Sequence, residues 1–422
     1  MTIPLSRRRL LVAGGATAAA LALGGGAPAM AAGSGQGGAD LVAAWNRTLL
    51  RILRTPGAHP ATVHPTRSFA MLHTAVHDAV VAAGGTGRPA LIAVDAPRSA
   101  SPVAAAAQAA HDVLTGLYPA SAGALDAQLA ADLATVPDGR AKTAGILTGQ
   151  RIARLIAGRR ANDGSGATPP VLPPGTEPGQ YRPTPPAFAP AVFTHWAAVT
   201  PFVLDRAGRF RPGPYPPLTS AAYAEAVNET ARLGQDTSTA RTADQTVQAR
   251  FWAAPIWNYW NEIAQSVVLG TRSGLSTAAR VFAELNLAFA DAVTAFYDAK
   301  YHYRIWRPIT AIRLADTDGN PDTTGDPNWT SLGVTPADPS YPGAHSVIAQ
   351  TGAEILRHEY GPCHDVTVTS EVLPGTVRTF GSFQDISDEA GTSRLFAGVH
   401  TRLDHNAGRR LGHDVAHAVL DA

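Results

Sequence analysis

The chain is poor in the residues that build disulfide frameworks and charged binding surfaces. It has 422 residues and one cysteine, Cys363, so it can form neither an internal disulfide nor a cysteine metal cluster. Its 34 basic and 33 acidic residues leave a net charge of +1, which gives no electrostatic footprint for nucleic acid or a membrane surface. Beyond the N-terminal region, no apolar run reaches the roughly 18–20 residues that span a bilayer. The 45% hydrophobic content is typical of a globular protein with a large core.

Residues 1–31 have the pattern of an export signal. Arg7, Arg8 and Arg9 precede an apolar stretch of alanine, leucine and glycine, and residues 27–32 offer A-x-A cleavage sites. The Arg7-Arg8 pair followed by leucines resembles a twin-arginine signal, with an ordinary secretory signal or an uncleaved anchor as the alternatives. We therefore expect an exported or secreted protein, with no membrane contact after cleavage. Residues 32–39 would form a flexible Gly/Ser-rich stub.

Helical periodicity dominates residues 40–422, which we predict to form one all-α helical domain. Residues 162–190 and 210–217 are too rich in proline for regular structure, so we expect surface connections there. Period-two alternation is scarce, which predicts that strands are rare or absent. After the first helix from Asp40, the predicted helices cover Ser68–Ala83, Pro102–Tyr118, Ser121–Ala134, Arg140–Arg160, 219–233, 240–252, 257–271 and 276–304.

Lysine is nearly absent, because Lys142 and Lys300 are the only two in the chain. The abundance of alanine, glycine, proline and arginine indicates a coding bias that explains part of this scarcity. Lys300 opens the pattern K-x6-R-P, which ends in Arg307-Pro308. On one helix these two cations would point the same way, almost two turns apart. Neighbouring cations repel each other unless an anion lies between them, so the pattern predicts an oxyanion site.

A second segment, Ser340–Ser346, contains a Pro-Gly turn that leads into a helical pattern extending through Tyr360. The free N–H groups of a helix N-terminus bind oxyanions. His345 would stand at the mouth of such a site, where a proton donor or acceptor is useful.

A third segment has the pattern S-R-x5-H-x3-D, from Ser393 to Asp404. His400 and Asp404 would lie one helical turn apart, so the carboxylate could accept a hydrogen bond from one ring nitrogen and leave the other free. Arg394 and His400 are six residues apart and would converge only across a bend, for which Gly398 is the obvious place.

Taken in order, the three segments resemble the signature of the superfamily that joins vanadium-dependent haloperoxidases with type 2 phosphatidic acid phosphatases. The signature covers residues 300–404 and places the oxyanion site in residues 276–422. Wider likeness to soluble bacterial members includes Tyr181–Pro186, Trp306–Arg313 and Thr317–Pro321. The resemblance implies an all-α fold built around four-helix bundles, which agrees with the periodicity.

The resemblance also implies a role for each signature residue. Lys300, Arg307 and Arg394 would bind the equatorial oxygens of vanadate or phosphate. His400 would be the axial vanadium ligand or the phosphate-accepting nucleophile, with Asp404 orienting it. His345 would be the acid–base histidine. Gly343 and Ala344 would offer backbone N–H groups.

The chain departs from the family at one position. The usual P-S-G-H is replaced by Pro342-Gly343-Ala344-His345, so a serine hydroxyl that would contact an equatorial oxygen is missing. The loss of one charge-assisted hydrogen bond costs about 1.5–3 kcal/mol of oxyanion affinity.

Three functions follow from the resemblance. The first is a haloperoxidase that uses vanadate, not haem, to oxidise halide with hydrogen peroxide and halogenate a small organic substrate. The second is a secreted acid phosphatase that hydrolyses phosphate esters through a phosphohistidine. The third is an oxyanion-binding protein without turnover. The halide, the organic substrate and the oligomeric state stay open.

Two further histidine pairs have the i,i+4 spacing of helical metal ligands, His73 with His77 and His413 with His417. Either pair could hold zinc, but two histidines without a third ligand are a weak signal, and a structural role is the favoured interpretation.

Overall fold

The computed structural model describes residues 38–422. The predicted signal peptide and nearly all of the predicted stub lie outside these residues and stay predictions. From Ala39 onward the described chain is a helical assembly with one small hairpin, so the all-α prediction is confirmed. The helices are α1 Ala39–Arg54, α2 Pro65–Gly84, α3 Pro102–Leu117, α4 Ala122–Ala134, α5 Arg140–Arg160, α6 Ala221–Gly234, α7 Ala243–Phe251, α8 Ile256–Gly270, α9 Leu275–Tyr303, α10 Pro308–Arg313, α11 Ala344–Tyr360, α12 Phe383–Phe396 and α13 Arg402–Leu420.

The central element is α9, whose 29 residues carry apolar side chains around most of the circumference. A helix that is apolar on all sides must be enclosed by others. Accordingly α9 contacts α1, α2, α8, α11 and α13, and most of its residues are buried. The C-terminal end of this buried helix carries Lys300.

The hairpin is the one β-sheet of the described residues. Strands β1 (Val366–Thr369) and β2 (Val377–Phe380) pair antiparallel, with Val366 opposite Phe380. Val366 and Val368 are buried against the helical core. The hairpin joins α11 to α12 and thereby brings the second and third sequence segments together.

Capping residues mark the start of several helices. Ser101 caps α3 by accepting from the Ala104 N–H, and Thr242 forms a capping box with Gln245 at α7. Ser121 precedes α4 as predicted, but its side chain makes no capping hydrogen bond because a short 3-10 turn comes first. The proline-rich residues 162–190 and 210–217 form connections without helices, as predicted.

Within residues 38–422, no helix combines the length and the apolar character that a bilayer crossing requires.

Candidate active site

Lys300 and Arg307 converge on the buried carboxylate of Asp338. Arg307 pairs closely with Asp338 Oδ1 through Nη2, and Lys300 Nζ lies 3.6 Å from the same oxygen. Lys300 Nζ also donates to the main-chain carbonyls of Pro339 and Ser340, the latter at 3.2 Å. All three charged side chains are almost fully buried. The anion expected between the two cations is therefore supplied by the protein itself.

The predicted helical relation between the two cations is wrong. Helix α9 ends at Tyr303 because Arg304 adopts a left-handed conformation, with φ of 51°. Arg307 then lies in extended backbone as the N-cap of α10. The two side chains meet because both bond Asp338, and the seven-residue spacing plays no part.

Burial and pairing shift the ionisation of this trio. Burial lowers the pKa of Lys300 to about 8, and the nearby Arg307 adds to the effect. Burial acts to raise the pKa of Asp338, but the charges of Lys300 and Arg307 outweigh it and hold that pKa below its ordinary value. The carboxylate is thus ionised at neutral pH.

His400 and Asp404 form the predicted pair, with His400 Nδ1 3.2 Å from Asp404 Oδ2. We predicted that the two residues would lie one turn apart on a continuous helix. His400 instead lies before the start of α13. Thr401 caps α13 and Asp404 lies in its first turn, where Oδ2 also accepts from the Thr401 N–H at 2.8 Å. Ser340 Oγ donates to the same oxygen at 2.7 Å. Asp404 is therefore fixed by a backbone and a side-chain donor.

These contacts determine the tautomer of His400. The Nδ1 atom faces the Asp404 carboxylate and the Ser340 hydroxyl, whose proton is already donated, so Nδ1 carries the hydrogen. The Nε2 atom lies 3.2 Å from Arg307 Nη1, a donor. Burial, with Arg307 as the next cause, lowers the pKa of His400 to about 3. The ring is neutral, and the lone pair on Nε2 faces the cationic side of the site.

Arg394 is brought beside this histidine by a bend at Gly398, as predicted. Helix α12 ends at Phe396, and Gly398 has φ of 73°. A Cβ atom at Gly398 would lie 2.4 Å from the Gly234 carbonyl oxygen, so only glycine fits there. After the bend, the N–H of His400 donates to the Arg394 carbonyl at 3.3 Å.

Arg394 differs from Arg307 in having no carboxylate partner. Within the described chain it forms no ion pair, and Nη1 donates to the carbonyls of Ala249 and Trp252, both at 3.3 Å. Burial, followed by the charge of Arg307, lowers the pKa of Arg394 to about 10. A buried guanidinium without a carboxylate is costly unless an anion compensates it.

His345 shares the Trp252 carbonyl with Arg394. Its Nε2 lies 2.9 Å from that oxygen, so Nε2 carries the hydrogen and Nδ1 holds the lone pair. Burial, and after it the charge of Arg394, lowers the pKa of His345 well below its usual value. The half-buried ring is a neutral proton acceptor at the start of α11.

The Pro-Gly turn leads into α11 as predicted, with Gly343 as N-cap and Ala344 as the first helical residue. The two predicted N–H donors differ. Gly343 donates to the main-chain carbonyl of Asp404 at 2.9 Å, so its N–H is not free for an oxyanion. Ala344 lies in the first turn, where an N–H has no acceptor within the helix.

Sequence reasoning missed three parts of the site. They are the Asp338 carboxylate, the Ser340 hydroxyl and the Trp252 carbonyl. Asp338 and Ser340 lie just before the Pro-Gly turn, and an acidic residue near the second segment was the one available signal. The Trp252 carbonyl carries no signal, because a backbone acceptor can belong to any residue.

The charges of the site suit an anionic ligand. Lys300, Arg307 and Arg394 face two carboxylates, Asp338 and Asp404, so one positive charge remains uncompensated. Arg394 supplies that charge, His400 Nε2 supplies a lone pair, and the first turn of α11 supplies backbone donors. A bound anion would share Lys300 and Arg307 with Asp338.

Comparisons with known proteins agree with this fold. The family model described as the VCPO second helical-bundle domain matches residues 280–422. Vanadium chloroperoxidase of Curvularia inaequalis is 26% identical over 256 residues, an alignment that covers 45% of this chain and 41% of that protein. The chain thus spans less than half the length of this curated relative.

Solved structures extend the likeness to nearly the whole chain. The first bacterial vanadium-dependent iodoperoxidase superposes with a TM-score of 0.79 at 23% identity, covering 91% of this chain and 96% of that one. A holo-type bacterial vanadium-dependent chloroperoxidase has a TM-score of 0.68 at 17% identity, covering 88% and 94%. The match of residues 280–422 and the curated relative thereby confirm the resemblance to the vanadium haloperoxidase superfamily, and the solved structures share the fold of most of the chain.

Proposed function

We propose that the protein is a vanadate-dependent haloperoxidase that oxidises halide with hydrogen peroxide. The observation that carries the proposal is the buried charge of Arg394, which has no carboxylate partner among the described residues, in a site that also contains the neutral His400. A negatively charged oxyanion would remove the cost of that charge. Both the curated relative and the structural neighbours bear names of vanadium peroxidases.

Each side chain has a distinct part in this proposal. Arg394 and Arg307 would hold vanadate oxygens by charge-assisted hydrogen bonds. His400 would offer its Nε2 lone pair to vanadium, while Asp404 and Ser340 keep the hydrogen on Nδ1. When bound, vanadate would supply a Lewis-acidic centre that activates peroxide towards halide.

Proton transfer would fall to His345, and Lys300 would contribute its charge. His345 holds a lone pair on Nδ1, because Nε2 donates to the Trp252 carbonyl, so it would accept the proton that peroxide loses on binding. Lys300 carries a compact charge on a buried ammonium, which suits a point contact with one oxygen.

One experiment separates the three candidate functions. The mature protein is loaded with orthovanadate and assayed for bromide- and peroxide-dependent halogenation of a diketone, and in parallel for hydrolysis of an aryl phosphate with and without vanadate. Halogenation that requires vanadate supports the proposal. Phosphatase activity inhibited by vanadate would replace it with phosphate-ester hydrolysis, in which His400 attacks phosphorus and His345 protonates the leaving group. Vanadate binding without either activity would leave an oxyanion-binding protein.

The site assignment has its own test within the same assay. His400→Ala removes the lone pair and should abolish the observed activity, whichever it is. Full activity in this variant would show that the site is placed wrongly.

We also propose that the protein leaves the cytoplasm in folded form through a twin-arginine signal. Replacing Arg7 and Arg8 by lysine in the full chain should retain the protein inside the cell, as judged by fractionation. Unchanged export would contradict the proposal.

A further inference from the structure

The geometry points to a second site, for a divalent transition metal, on the outer face of the pair formed by α11 and α13. Its ligands would be His413 and His417 of α13 and Glu354 of α11. One donor atom from each of the three residues lies within 4.8 Å of the other two. The sequence around the two histidines shows no third ligand, and Glu354 of the neighbouring helix α11 supplies one.

Close packing of the two helices brings Glu354 to this position. A Cβ atom at Gly412 would lie 2.3 Å from the Val347 carbonyl oxygen. Only glycine at this position allows the two helices to pack so closely. Thr351 Oγ1 donates to the Gly412 carbonyl at 3.1 Å. One turn further along both helices, Glu354 Oε2 lies 3.7 Å from His417 Nε2.

Two observations indicate that one ring nitrogen of each histidine is available to a metal. His417 Nε2 is buried and has no hydrogen-bond partner, which is costly for a polar atom unless a ligand satisfies it. His413 Nδ1 lies 3.2 Å from Asp414 Oδ1. A carboxylate that takes the hydrogen on one ring nitrogen frees the other for a metal. The two rings lie on one side of α13, with centroids 4.3 Å apart.

The donor set defines the class of ion. Two imidazoles and one carboxylate suit zinc, and they leave one tetrahedral position for water. Bonds of about 2.0–2.1 Å place tetrahedral ligand atoms roughly 3.3 Å apart. The exposed ring of His413 would need a small rotation to reach that spacing. Arg357 pairs with Glu354 Oε2, but its side chain is 47% exposed and can turn into solvent.

The other histidine pair has no such arrangement. His73 Nε2 lies 3.2 Å from Asn46 Oδ1, and His77 Nε2 lies 3.1 Å from the Arg88 carbonyl. The Nδ1 atoms of both rings are buried without a hydrogen-bond partner, but no carboxylate of the described residues completes a three-ligand group there. The structure thereby separates two pairs that look alike in sequence.

The metal would join α11 to α13 at a distance from the candidate active site. Glu354 is ten residues beyond Ala344 on the same helix, about 15 Å along its axis. The proposal is therefore independent of the function of the oxyanion site.

Titration of the tag-free, chelator-treated protein with Zn²⁺ in a calorimeter tests the site. We expect one ion per chain and a Tm that rises with Zn²⁺ concentration, since the ion binds the native state. Co²⁺ should give the intense visible absorption of a four-coordinate centre. Absence of Zn²⁺ binding in the wild-type protein would overturn the proposal.

Variants assign the ligands. His417→Ala and Glu354→Gln should each weaken Zn²⁺ binding by more than about tenfold, with the apo far-UV spectrum unchanged. Arg357→Gln should tighten binding, because it removes the competing cation. His358→Ala, on an exposed neighbouring residue of α11, is the matched control and should leave the affinity unchanged. Equal losses in His358→Ala and His417→Ala would place the metal elsewhere.

Discussion

The candidate active site contains two buried arginines, Arg307 and Arg394, whose positive charges are compensated differently. Arg307 and Lys300 are neutralised within the chain by Asp338. Among the described residues, Arg394 donates only to the carbonyls of Ala249 and Trp252. The first arginine is compensated without a ligand, whereas the second carries a charge that an external anion would balance. We therefore expect Asp338 to contribute mainly to stability and Arg394 mainly to the affinity for the proposed oxyanion.

The largest expected effect is the loss of stability when Asp338, the partner of Lys300 and Arg307, is replaced. Asp338→Asn leaves two buried cations without their carboxylate and should lower the free energy of unfolding by about 3–5 kcal/mol. Saturating vanadate or phosphate should restore part of the loss, because the anion binds only the native state. Urea unfolding with and without anion measures both. Asp205→Asn, at an exposed carboxylate, is the control and should change little. A variant as stable as the wild type would contradict the division of roles.

Arg394→Gln should weaken anion binding without lowering stability. Removing one charge-assisted anion contact of about 1.5–3 kcal/mol weakens orthovanadate binding by roughly 10- to 100-fold. Stability without anion should stay the same or rise, since an uncompensated buried charge is lost. Calorimetric titration gives the affinity, with Arg154→Gln on the exposed face of α5 as control. If affinity is unchanged and stability falls, Arg394 is structural and the comparison fails.

The lowered pKa of Lys300 predicts how stability depends on pH. The pKa is about 8 in the folded protein and about 10.4 in an unfolded chain. Between these values the unfolded state binds more protons, so this residue makes stability rise with pH, by at most about 1.4 kcal/mol per pH unit. The Lys300→Met variant should lack that rise when unfolding is measured from pH 7.5 to 10. Parallel curves for the two proteins would show that the pKa of Lys300 is not lowered in the folded state.

The smallest effect is expected at Gly343. Gly343→Ser introduces the family's hydroxyl, but a Cβ atom there lies 3.3 Å from the Asp404 carbonyl oxygen and is slightly crowded. We expect a gain in vanadate affinity of less than about tenfold, under 1.4 kcal/mol. Gly343→Ala carries the same crowding without the hydroxyl and is the matched control. If both variants bind alike, the hydroxyl is not needed for oxyanion binding.

Much of the fold could be predicted from periodicity, because most helices are long and end at caps or prolines. Helix α5 was predicted at its observed bounds, Arg140–Arg160. The two short strands were missed because four residues are too few for a clear alternation. The end of α9 was predicted to within one residue, at 304. The left-handed conformation of Arg304 was not foreseen, since arginine rarely adopts positive φ.

The site was predicted in part. Spacing together with the resemblance singled out Lys300, Arg307, Arg394 and the histidines. The carboxylate that neutralises two of them, Asp338, could not be assigned, because its contacts join residues about 30 positions apart through the tertiary fold. In the same way, the sequence could not show which histidine pair has a third ligand, because that depends on the helix packed opposite each pair.

The candidate active site is built from the ends of helices and not from their middles. Lys300 lies in the last turn of α9, Arg307 caps α10, Ala344 begins α11, Arg394 lies in the last turn of α12 and Asp404 in the first turn of α13. Helix ends are followed by connections that accept insertions and exchanges without unpacking the core. The scaffold can therefore acquire new reactivity by change in its loops while α9 and its neighbours keep the same packing.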